Sequence, residues 1–241
     1  MPDDTTQPPQ TSNLEPVSYL DIGDLSKEHI TWIEKQLGDR AATSKEPHGD
    51  QSDVFRVVTL KGNYFLKVAP ALSKERDRLL WLKDKLPVPK VVAFSKIGEN
   101  DLLLMTAVEG MNLAILSKSW LKEKVVEKLA EVLLTFHSTD TTGCPFGNKS
   151  GGNVLVHGDA CLPNFIFQND TFSGYIDLGD LRVDHQEVDL AAACWSLNYN
   201  LGPGYGAQFL KKYGISEANE EMVEKLVRQY KEMQKTWGLS N

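Results

Sequence analysis

The stretch Val154–Asp177, VLVHGDACLPNFIFQNDTFSGYID, constrains the fold more than any other part of the chain. The apolar run Val154–Val156 reads as a short buried strand, and His157-Gly158-Asp159 turns the chain out of it. Asn164 follows Asp159 by five residues. A second apolar run, Phe165-Ile166-Phe167, leads away; Asn169-Asp170-Thr171 signals a turn, and Tyr175-Ile176 returns to Asp177. A β-hairpin of this kind brings Asp177 back beside Asn164.

That arrangement suits phosphoryl transfer from a magnesium nucleotide. The reaction needs a carboxylate to orient the attacking hydroxyl and oxygen ligands to hold Mg²⁺ on the phosphates. Asp159 stands where the first is required, Asn164 and Asp177 where the second is. Protein kinases use H-R-D-x-x-x-x-N and then D-F-G for these parts; here the pattern is H-G-D-x-x-x-x-N and then I-D-L-G. Each residue type alone is also what a turn recruits. The combination, in its strand context, carries the reading. His157 is expected to hydrogen-bond the loop rather than act as a base.

HGDACLPN followed by FSGYIDLGD resembles the aminoglycoside phosphotransferases, specifically the 3'-phosphotransferase group of kanamycin and neomycin kinases, over most of residues 50 to 215. The resemblance implies an α+β, two-lobed protein-kinase-like fold. Its N-terminal lobe is small and antiparallel; its C-terminal lobe is mainly helical and carries the catalytic hairpin. It implies ATP as donor of a γ-phosphate, Mg²⁺ as the metal, and a small-molecule alcohol as acceptor, foremost a cationic aminoglycoside.

Val54–Leu60 and Tyr64–Val68 are β-rich runs joined by Lys61-Gly62-Asn63 and read as a hairpin. Lys67, between apolar strand residues, is either an exposed edge charge or a functional cation. The following segment, KERDRLLWLKDKLPVPKV, reads as a helix with Ser73 as its cap, Glu75, Leu79, Leu82 and Leu86 along it, and Pro87 as its end. By resemblance, Lys67 holds the α- and β-phosphates and Glu75 fixes its rotamer, the pairing that kinases use. His48–Asp53 occupies the position of a phosphate-covering loop, with one glycine. Val91–Ser95 and Leu102–Thr106 are two further strands of an expected five-stranded sheet, and Met105–Glu109 is the expected hinge. The resemblance assigns the main chain of Thr106 and Val108 to the adenine edge and Met105 to its pocket.

Residues 1–16 are rich in Pro, Thr and Gln and read as a mobile tail; residues 17–106 form the expected nucleotide lobe and 107–241 the catalytic lobe. Ser26 is an N-cap for a helix with Ile30, Ile33 and Leu37 on one face and Gly38 as its stop. Trp120–His137 is amphipathic, with Leu121, Val125, Leu129, Val132, Leu133 and Phe136 as its apolar stripe. Glu187–Leu197 is a helix near whose start lies Asp189. By resemblance Asp189 braces the catalytic loop, and a first-turn carboxylate also suits the helix dipole. The last expected helix, Ala218–Trp237, puts Met222, Leu226, Tyr230, Met233 and Trp237 on one face.

Composition excludes several classes. The net charge of −7 and the lack of a basic patch argue against a nucleic-acid partner, and an acidic cleft suits a polycation. No apolar run approaches the roughly 20 residues of a membrane span, so no membrane partner is expected. With no leader pattern at the start, the expected location is cytoplasmic. Cys144, Cys161 and Cys194 are odd in number and widely spaced, which fits a reducing compartment; Cys161 reads as a small loop filler.

Three features depart from the family pattern. Relatives carry several dozen residues of acceptor-binding helices after C-P-F, whereas here only GNKSGGNV separates Phe146 from the catalytic strand, and Gly147–Asn153 reads as a short connector. Asp180 stands where relatives have an arginine, with Arg182 as the nearest substitute. Gln234 stands where an acceptor-binding carboxylate is expected. These departures leave two alternatives open: a non-catalytic or truncated nucleotide-binding scaffold, and a kinase for a different small alcohol.

Overall fold

The computed structural model describes residues 25–47, 52–147 and 151–236. The proposed tail at 1–16, most of the phosphate-covering segment, the middle of the 147–153 connector and Trp237 lie outside them.

Helix α1 (Lys27–Leu37) starts as the sequence predicts. Ser26 Oγ accepts from the His29 N–H, and the His29 ring returns an acceptor to the Ser26 N–H at 3.1 Å, a reciprocal cap. Gly38 closes the helix in the left-handed region, at φ 60°. Strands β1 (Ala42–Lys45), β2 (Asp53–Thr59), β3 (Gly62–Ala69), β4 (Val91–Ile97) and β5 (Asn100–Thr106) then form one antiparallel sheet in the order β1-β2-β3-β5-β4. The first strand, ATSK, has no apolar alternation by which sequence could have found it.

Side chains of β5 alternate between two cores, as a pleated strand requires. Leu102 and Leu104 face α1, with Ile33, Phe55 and Leu66. Leu103 and Met105 face the second core, which contains Leu79 and Leu82 and continues through the helical half to Tyr230. The sheet is thereby covered on both faces.

Helix α2 (Ser73–Leu82) corrects two expectations. Ser73 is its first residue rather than its cap. The chain enters through Leu72 in αR conformation, where a serine cap needs extended backbone, and Asp101 Oδ2 takes the Leu72 N–H instead, at 2.9 Å. The helix also stops at Leu82 rather than Leu86: the Lys85 N–H turns back onto the Leu82 carbonyl at 2.8 Å, so the turn before Pro87 tightens. The Pro87 carbonyl then accepts the Tyr175 N–H at 2.9 Å.

Strand β6 (Met111–Asn112) and the short helix α3 (Leu113–Leu116) lead to α4 (Lys122–His137). Trp120 and Leu121 precede α4 rather than belonging to it, and Leu121 is 76% exposed, so it leaves the predicted stripe; Val125, Leu129, Val132, Leu133 and Phe136 remain buried. Strand β7 (Val154–Val156) pairs with β10 (Arg182–Asp184). Between them, β8 (Phe165–Gln168) and β9 (Thr171–Tyr175) form the predicted hairpin, with β6 on its outer edge. Asn169 and Asp170 both have positive φ, as the tight two-residue hairpin turn demands. Helices α5 (Glu187–Leu201), α6 (Gly206–Tyr213) and α7 (Glu220–Thr236) complete the fold.

Gly110 holds the crossing between β5 and β6. Its φ is 129°, and a Cβ there would lie 2.3 Å from the Phe167 carbonyl oxygen. Gly110→Ala should therefore lose about 3 kcal/mol of stability from backbone strain and overpacking. Urea unfolding followed by tryptophan fluorescence measures this; an unchanged midpoint would contradict the packing described.

Candidate active site

Strand β7 delivers His157-Gly158-Asp159 into a loop fixed from below by a buried carboxylate. Asp189, fully buried near the start of α5, accepts the His157 N–H at 2.6 Å and the Gly158 N–H at 2.9 Å. His137 Nε2, from the end of α4, donates to the same carboxylate at 3.0 Å. The ring of His157 itself bridges the loop. Its Nε2 donates to the Ile176 carbonyl at 3.0 Å while Nδ1 accepts the Asp159 N–H at 3.3 Å. Both ring nitrogens are occupied, which agrees with a supporting role and leaves none for proton abstraction. Gly158, at φ 91°, lets the turn at Asp180 approach so closely that a Cβ would sit 2.5 Å from the Asp180 carbonyl oxygen.

A 3-10 turn, Leu162–Asn164, places Asn164 against Asp159. Asn164 Nδ2 donates to the Asp159 main-chain oxygen at 2.8 Å and to Oδ2 at 2.9 Å. Both partners are acceptors, so the amide nitrogen must face them, and Asn164 Oδ1 is the remaining acceptor of that side chain. The Ile176 N–H donates to the Asn164 carbonyl at 3.0 Å, which sets Asp177 next to it in the chain as the hairpin predicts. Asp177 has φ 59°, a conformation uncommon for a residue with a Cβ and concentrated at functional turns.

Asp177 and Glu75 share one cation. Lys67 Nζ lies 2.7 Å from Glu75 Oε1 and 2.7 Å from Asp177 Oδ1. The edge-charge alternative for Lys67 fails, since β3 is the middle strand of the sheet. Burial is the largest single influence on Lys67 and pushes its ammonium down. The charges of Glu75 and Asp177 together outweigh it, so Lys67 sits well above the ordinary lysine value. Burial raises Glu75, and Lys67 offsets that only in part. Loss of surrounding water works to raise the half-exposed Asp177 carboxyl, but the Lys67 charge wins and holds it below the usual carboxylate range.

Met105 is buried in the second core. The Thr106 N–H donates to the Lys90 carbonyl at 2.9 Å, and its Oγ1 accepts from the Lys90 N–H at 2.9 Å. An adenine edge could meet only its carbonyl. Val108 packs near Gly174 of β9. Arg182 bonds Asp184 Oδ2 at 2.8 Å and the Asp180 carbonyl at 3.0 Å, within its own segment.

Sequence reasoning missed Tyr230. Its hydroxyl, from α7, donates to Asp159 Oδ1 at 3.1 Å and lies 3.4 Å from Cys161 Sγ. Burial pushes this phenol far up, with the neighbouring Cys161 and Asp159 adding to the effect, so it stays a donor. Burial likewise raises the Cys161 thiol, which is inert, as a loop filler should be. Ser196 Oγ, also missed, accepts the Leu162 N–H at 2.9 Å. Tyr230 sat in a helical stripe that read as core, and it is core; nothing in that spacing marks a hydroxyl reaching 71 residues back.

Among the described residues, no three His, Cys, Asp or Glu side chains gather to hold a metal unaided. The donor set still fits Mg²⁺, a hard cation that takes one or two protein oxygens and completes its shell with water and phosphate. Asn164 Oδ1 and the Asp177 carboxylate are such oxygens.

The profile of the phosphotransferase enzyme family matches residues 43–153 and 148–225 of the chain. An aminoglycoside 3'-phosphotransferase of Niallia circulans is 28% identical over 225 residues, covering 73% of this chain and 86% of its own. One from Enterococcus faecalis is 30% identical over 178 residues, covering 68% and 61% respectively. Among solved structures, the aminoglycoside phosphotransferase APH(3'')-Id from Streptomyces rimosus superposes with a TM-score of 0.67 at 24% identity, covering 83% of this chain and 94% of its own. The same enzyme in complex with ADP and streptomycin gives 0.63 at 23% identity, over 83% and 94%. At these identities the structural likeness establishes the fold, which is the two-lobed kinase-like one. No helix among the described residues is long and apolar enough to cross a membrane.

A carboxyl held low in the fold adds stability above its unfolded value of 3.8 and gives that stability up as the pH falls below it. Glu75, held high, contributes with the opposite sign. The stability difference between wild type and Asp177→Asn should therefore be greatest at neutral pH and shrink between about pH 5 and pH 2. Urea unfolding of both proteins at neutral and acid pH measures it. A difference independent of pH would contradict the Lys67–Asp177 pairing.

Proposed function

Because the chain belongs to the phosphotransferase enzyme family, we propose that it moves the γ-phosphate of ATP to a hydroxyl of a small molecule, an aminoglycoside foremost. The observation that carries this reading is the pairing of Lys67 with Glu75 and Asp177, joined through the Ile176 N–H on the Asn164 carbonyl to the loop where Asn164 holds Asp159. The names of the relatives support the acceptor class, and the ADP and streptomycin held by the Streptomyces rimosus enzyme support both donor and acceptor.

Asp159 is the catalytic carboxylate. Its orientation is fixed by Asn164 at one oxygen and Tyr230 at the other. An acceptor hydroxyl arriving there would be oriented by Asp159 and would pass its proton to it as the oxygen–phosphorus bond forms and ADP leaves. Lys67, steadied by Glu75, holds the nucleotide's phosphates. Asn164 and Asp177 are the residues to hold Mg²⁺, which when bound neutralises phosphate charge. His157 and Asp189 support the loop. The Thr106 carbonyl, the Val108 main chain and Met105 are the adenine contacts. With little covalent chemistry for the protein to do, positioning and charge complementarity supply the catalysis.

Residues 17–106 serve as the nucleotide lobe and 107–241 as the catalytic lobe in this reading, and the cytoplasm, where ATP is available, is the location. The short span between Phe146 and β7 favours a second reading, a kinase for a smaller alcohol.

The test is ADP release from Mg-ATP with a panel of kanamycin- and neomycin-type aminoglycosides and simple polyols. Asp159→Asn should reduce acceptor-dependent turnover by about 10²- to 10⁴-fold and leave Mg-ATP binding intact in calorimetry. Equal loss of both would contradict the role of Asp159. Asp177→Asn should weaken Mg-ATP binding more than metal-free ATP binding; an unchanged magnesium dependence would remove Asp177 from the metal site.

A further inference from the structure

An aromatic row from helices α5 and α7 runs from solvent to the catalytic carboxylate. The rings of Trp195 and Tyr199, one helical turn apart, lie 5.5 Å centroid to centroid with planes 13° from parallel. Trp195 is in turn 5.2 Å from the ring of Tyr230, whose hydroxyl donates to Asp159 Oδ1. Exposure falls along the row: Tyr199 is 77% exposed, Trp195 half-buried and Tyr230 buried. The edge-on aromatic contacts of the core are of another kind; among the described residues Trp195–Tyr199 is the one stacked pair. An aromatic side chain of Tyr199's size left this open presents apolar surface that water covers poorly.

The row borders the group that must meet the acceptor. It offers few hydrogen bonds and several π-faces, so it suits the part of an acceptor that is not reacting: the C–H face of a saturated ring and any ammonium group on it. The ring quadrupole attracts such cations, tryptophan most strongly, and the chain's net charge of −7 adds to that attraction. The geometry points to Trp195 and Tyr199 as an acceptor subsite for an amino-substituted saturated ring, aligned so that a hydroxyl of that ring reaches Asp159. Here aromatic stacking takes over part of the holding that dedicated helices would otherwise do after Phe146. This assignment rests on the phosphotransfer reading for its acceptor, but its binding claim is separately testable.

The experiment is calorimetric binding of kanamycin, in the absence of ATP, to the full-length Asp159→Asn protein, alone and with Tyr199→Ala, Tyr199→Phe or Trp195→Leu added. Tyr199 is exposed and its truncation spares the core. Tyr199→Ala should raise the kanamycin Kd by about threefold to tenfold, Trp195→Leu by at least as much, and Tyr199→Phe should restore it. In the catalytically intact background Tyr199→Ala should raise KM for kanamycin, with kcat and the Kd for Mg-ATP unmoved. An unchanged kanamycin Kd in Tyr199→Ala, an equal loss of Mg-ATP affinity, or no kanamycin binding at all would overturn the subsite. Kanamycin binding that depends on Tyr199, with no ADP release from the protein that keeps Asp159, would instead uphold the subsite and sink the phosphotransfer reading.

Discussion

One ammonium group joins three elements: Glu75 lies eight residues from Lys67, and Asp177 lies 110 residues away. Lys67 Nζ, on the middle strand of the sheet, touches the carboxylate of Glu75 on α2 and that of Asp177 beyond β9, each at 2.7 Å. Removing the cation would leave Glu75 buried and unpaired beside a second carboxylate, the costly way to break a buried ion pair. The pair with Glu75 fixes where the ammonium stands. The pair with Asp177 ties the sheet to the segment after β9, where Asp177 itself holds a left-handed conformation that needs such support.

The catalytic loop is fixed independently, from the helical side. Asp189 collects two main-chain N–H groups and the His137 ring, and Ser196 collects a third N–H from the turn that carries Asn164. Asp159 itself is gripped at both oxygens, by an amide from its own loop and a phenol from α7. The two halves of the site therefore have separate supports: ion pairing anchors the Lys67 side, and buried hydrogen bonds anchor the Asp159 side. They meet where the Ile176 N–H bonds the Asn164 carbonyl.

Much of this is legible in the sequence because it is local or repeats a spacing. The hairpin from Phe165 to Tyr175 announces itself by two apolar runs and an Asn-Asp turn. Helix α1 announces itself by a serine cap and a terminal glycine. Lys67–Glu75 and Asp189 are read through family resemblance and are joined as that implies. The misses share a cause: the deciding partner is distant in sequence. Asp101 displaces Ser73 at the start of α2, and Tyr230 reaches Asp159 from the last helix. Propensity and periodicity see neighbours along the chain; a hydroxyl at the tip of a core residue has no periodic signature.

Central to the proposed function is transfer of a phosphoryl group to an acceptor held at Asp159, as against loss of that group to water. Mass spectrometry of an aminoglycoside incubated with the protein and ATP carrying heavy oxygen in its γ-phosphate tests this directly. The predicted result is an acceptor heavier by one phosphoryl group that retains the label, formed in step with ADP. Labelled inorganic phosphate with an unmodified acceptor would contradict it.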